Sequence, residues 1–114
     1  MTRSQLIARD IRTLERHLCG LLGMRTDLGA FIVVEGPGTI GRNALAKHGV
    51  ADRISTLITD YESAIHELAA AHAAAEIAEC TAQLWTMTGE ARANMRWYLR
   101  DLIGASRNAK ELVV

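Results

Sequence analysis

Residues 52–90 read DRISTLITDYESAIHELAAAHAAAEIAECTAQLWTMTGE, and the spacing of their apolar side chains decides the fold. Ile54, Ile58, Tyr61, Ile65, Leu68, His72 and Ala75 recur in steps of four and three, the seam of an α-helix. A second seam, Ala70, Ala73, Ile77, Cys80, Leu84 and Met87, starts before the first ends and is rotated from it. No breaker intervenes before Gly89. As one helix the stretch would reach about 54 Å, against a radius of gyration near ~13 Å for a compact domain of this size. Two readings stay open: the helix breaks in the alanine patch 69–75, or a second copy of the chain covers the overhang. The rotated seam favours the second reading, with Ile77, Cys80, Leu84 and Met87 as the oligomer contact.

The segments on either side are helical too. Ile7, Ile11, Leu14, Leu18 and Leu21 form a narrow apolar seam, Thr2 with Gln5 fits a capping box, and Gly20 with Gly23 offers a stop. The last helix is expected over 90–112, with Ala91, Met95, Tyr98, Leu99, Leu102, Ala105 and Ala109 in one arc. Arg92, Arg96, Arg100, Arg107 and Lys110 fill the adjoining arc, a basic face for a partner. Between the first helix and the central one, Ala30-Phe31-Ile32-Val33-Val34 precedes Glu35-Gly36-Pro37-Gly38, the strongest breaker in the chain. A strand there would need a second strand, and only Leu112-Val113-Val114 offers one, so a buried loop or helical turn is the preferred reading. Thr39 can cap a short helix over 40–48 that Gly49 ends.

At 114 residues the chain suits a single helical domain, 1–114. Its apolar content is rich in alanine and its aromatic content is only 4%, so a thin core needs close helix packing or a partner's surface. Thirteen basic and thirteen acidic residues cancel, which argues against a global field for nucleic acid or membrane. The charges are nonetheless segregated: residues 51–90 carry seven acids against Arg53 alone, and both flanking stretches are net basic. An acidic central helix between basic ones makes these charges register-setting pairs. Cys19 and Cys80 read as buried, reduced thiols. With no signal peptide and no membrane-length apolar run, a cytoplasmic protein is expected.

Three constellations bear on chemistry. Gly36, Gly38, Thr39, Gly41 and Arg42 lie in a G-x4-G frame that enters a helix, an arrangement suited to an anion or a phosphate-bearing ligand. With the preceding FIVVEG it resembles the first strand and loop of thymidylate kinases. Arg42 stands where that family's lysine belongs, and Asn43 where its Ser/Thr holds magnesium. Arg42 and His48 also form an R-x5-H pattern that resembles the signature of HEPN ribonucleases, all-helical dimers. That resemblance implies phosphate stabilisation by Arg42 and proton transfer by His48. His72, Glu76 and Cys80 share a stripe, but no Glu-x-x-His pair of a ferritin-like site occurs, so no metal and no cofactor is assigned.

The reading that results is an all-α small helical bundle with one long central helix, completed by oligomerisation. Its function is that of a non-enzymatic binding protein, an adaptor, inhibitor or phage-type accessory protein. The alternatives are the HEPN-like ribonuclease and a binder that sequesters a phosphate-bearing ligand at Gly36–Arg42, with His48 nearby. A second copy is the expected partner. An acidic protein suits the arginine face better than nucleic acid does, because no aromatic interleaves that arc.

Overall fold

The computed structural model describes residues 1–35 and 40–113, with side chains over 1–29 and 41–107 except Arg42. Four helices follow one another: α1 (Arg3–Glu35), α2 (Ile40–Lys47), α3 (Val50–Leu84) and α4 (Gly89–Val113). No strand occurs among the described residues. The fold is all-α, with the long central helix α3 packed against the others. α3 runs unbroken for 35 residues through the alanine patch.

Two of the expected helix ends differ. α1 does not stop at Gly20 and Gly23 but runs 33 residues from Arg3 to Glu35, so the run 30–34 is part of a long helix rather than a strand, a loop or a single helical turn. Glycine ends a helix when the chain turns left-handed and its last carbonyls find new donors. Among the described residues only Gly49 and Gly89 take positive φ, both +61°. Past Gly20 the apolar spacing simply continues, with half-buried Leu21, Leu22 and Leu28. Gly49 behaves as expected, its N–H bonding Ala46 O at 3.1 Å while its own carbonyl accepts from Arg53 N at 3.1 Å. The second correction is at the far end of α3, which stops at Leu84, short of Gly89. There Thr86 N bonds Gln83 O at 3.0 Å and Met87 N bonds Leu84 O at 3.3 Å. Met87 therefore lies just past the turn at Trp85 and Thr86, outside the helix whose seam it was expected to extend.

The chain divides into two compact units, Met1–Arg9 with Glu67–Val114, and Asp10–His66. In the first, Ala75, Cys80 and Leu99 are buried. The capping box forms as the sequence suggests: Thr2 N donates to Gln5 Oε1 at 2.9 Å, and Gln5 N to Thr2 Oγ1 at 3.2 Å. Buried Ser4 then donates twice to Glu79 of α3, from N at 3.0 Å and from Oγ at 2.6 Å. A carboxylate facing the positive end of α1 satisfies one of its orphan N–H groups. Those two bonds, from the side chain and then the backbone of Ser4, hold the Glu79 carboxyl below its ordinary range.

In the second unit Ile54 and Ile58 are buried, with Leu14, Leu18, Tyr61 and Ile65 half-buried. The His17 and Tyr61 rings meet edge to face at 5.7 Å, and Tyr61 Oη lies in hydrogen-bond contact with His17 Nδ1 at 3.2 Å. In both units α3 thus meets α1 through hydroxyl-bearing residues.

Candidate interaction face

α4 begins at a left-handed glycine with Glu90 in its first turn, where the helix dipole favours an acid. Its inward side is set by Met95, Leu99 and Leu102, with Ser106 in the next turn; Leu99 is buried and the others are half-buried. Arg92 belongs to this inward spacing as well. It is half-buried, and its Nε is enclosed without a hydrogen-bond partner among the described residues, so it lies at the inner edge of the basic face to which the sequence assigned it. Tyr98 turns the other way: it is 46% exposed and donates to Glu76 Oε1 at 2.6 Å. That bond pushes its phenol above the ordinary value.

The outer side carries Arg96, Arg100 and Arg107, all exposed, together with Ile103. Lys110 sits on the same helix, its side chain outside the described residues. The Arg100 guanidinium lies over the Trp97 ring, 5.0 Å from its centroid, a cation–π arrangement. An aromatic therefore does adjoin the arginine arc, contrary to the reading of the wheel alone. The i, i+3 spacing of Trp97 and Arg100 was the available signal. Trp97 is 64% exposed, and Trp85, in the turn before α4, is 81% exposed. Neither is a core residue.

The other expected sites are less developed. Within the seam offered for oligomerisation, Cys80 is buried inside its own unit, and Ile77, Leu84 and Met87 are half-buried there. Burial, and then Glu76 and Glu79 beside it, push the Cys80 thiol up, away from reactive thiolate. Cys19, expected to be buried, is exposed. The Nδ1 of His72 lies 3.9 Å from Glu76 Oε2 on its own helix. Gly36, Gly38 and Thr39 fall outside the described residues. Gly41 is exposed in α2, Arg42 lies in α2 with its side chain outside the description, and His48 is exposed just after α2.

A cavity of about 280 Å³ in the second unit is lined by Leu28, Leu45, Val50 and Asp52 among others, and neither Gly41 nor His48 reaches it. Ligand pockets usually span roughly 300–1,000 Å³. Among the described residues no group of three or more His, Cys, Asp or Glu side chains converges to hold a metal ion. No helix of the described residues is long and apolar enough to cross a membrane. Compared with models of known protein families, with curated proteins and with solved structures, the chain matches none.

Proposed function

We propose that this chain is a non-enzymatic helical interaction protein that works as a homo-oligomer, with the outer face of α4 and Trp85 as its contact surface. One observation carries the reading. Both tryptophans of the chain stand mostly in solvent, while among the described residues five apolar side chains are buried and none completely. Tryptophan and arginine are the residues most enriched where interfaces derive their energy. Covering an aromatic ring removes roughly 150–250 Å² of surface from water. An adaptor or an inhibitor needs such a face.

The two tryptophans make the test direct. On raising the concentration through the association range, their emission should shift to the blue and their quenching by iodide should fall. Sedimentation velocity should show a multiple of the 12.5 kDa chain mass. A single-chain mass at high micromolar concentration, with both tryptophans fully quenchable, would sink the proposal.

A further inference from the structure

We infer that the α4 face is occupied by the acidic outer face of α3 in a second copy of the chain, an inference that rests on the self-association proposed above. The two faces match residue by residue. On α4 the exposed residues Trp97, Arg100, Ile103 and Arg107 follow in steps of three, three and four. On α3 the exposed residues Leu57, Asp60, Ser63 and Glu67 follow in the same steps. The two cations are one heptad apart, as are the two carboxylates, so both pairs can meet in a single register. Between them a branched apolar side chain, Ile103, faces a small one, Ser63, which is the shape relation of a knob and a hole. Beyond Glu67 the outer face of α3 continues as exposed Ala70 and Ala74, where another helix can come close.

Charge narrows the occupant to this chain. Residues 51–90 carry seven acids and one arginine, whereas residues after 90 carry five bases and two acids. Each copy carries both faces, so the α4 face of one copy finds its complement on α3 of another. The stacking of Arg100 on Trp97 holds the guanidinium in place before binding. Less side-chain freedom is then lost when a carboxylate arrives.

Charge reversal tests this in a form that separates the inference from its premise. Arg100→Glu with Arg107→Glu places acid against acid where the α4 face meets α3. Asp60→Arg with Glu67→Arg places base against base. Each variant alone should remain helical by circular dichroism and weaken self-association on the order of 100-fold. An equimolar mixture should associate again, because the reversed α4 face of one variant is complementary to the reversed α3 face of the other. Should the reversed chains fail to fold, Arg100→Gln with Arg107→Gln replaces the first, with a smaller weakening expected. A wild-type mass of one chain overturns the self-association itself. Single variants that associate like wild type overturn this face and leave self-association standing. Variants that dissociate without rescue on mixing show that another surface is the occupant, which also overturns the inference.

Discussion

The two units use α3 in different ways. In Met1–Arg9 with Glu67–Val114, its buried positions are the small residues Ala75 and Cys80, and directional bonds fix its neighbours. Ser4 holds Glu79 and Tyr98 holds Glu76. In Asp10–His66 the buried positions are the branched Ile54 and Ile58, and Tyr61 makes a cross-helix polar contact with His17. Small residues let helices approach but interlock poorly along the axis, so hydrogen bonds must specify register. Branched side chains interdigitate and specify it by shape.

The largest effect should come from breaking what little core each unit has. Leu99→Ala in the first unit and Ile58→Ala in the second should each cost about 2–4 kcal/mol in urea denaturation. A cost under about 1 kcal/mol at either site would mean that the side chain is not packed as described.

Glycines sharpen the contrast at an intermediate scale. Gly49→Ala and Gly89→Ala force a β-carbon into a left-handed residue and should each destabilise by about 1–2 kcal/mol. Gly20→Ala and Gly23→Ala lie in regular helix, and a β-carbon there would meet nothing within 4 Å. Each should stabilise by about 0.5–1 kcal/mol. Thermal denaturation of the four variants reads both signs, and destabilisation at Gly20 would show that α1 bends or ends there after all.

The smallest effect concerns Glu79, whose carboxylate stays within reach of water. Its folded-state pKa is lowered, so its contribution is present above the ordinary carboxylate range and is lost as pH falls through the lowered value. Urea denaturation from neutral to acid pH should show wild type losing more stability than Glu79→Gln in that window. Parallel curves for the two proteins would remove Glu79 as the anchor of the α1 N-terminus.

Much of this molecule was legible in sequence, because helical period, capping boxes and left-handed glycine stops are local properties. The Ile54–Ala75 seam, the Thr2–Gln5 box and Gly49 needed no knowledge of what lay opposite. Only the tertiary structure decided that α1 passes through Gly20 and Gly23. Whether glycine ends a helix depends on what the residues beyond it can bury, which belongs to neighbours far away in sequence. The same holds for rotation about the α4 axis. Met95, Tyr98, Leu99 and Arg92 crowd one side of a helical wheel, and the wheel alone cannot say which of them faces inward. In the folded chain Arg92 is half-buried, Tyr98 sits at the edge bonded to Glu76 of α3, and Trp97 lies beside Arg100 in water. Periodicity measures the angle between residues, and only packing against another element sets the direction in which that angle starts.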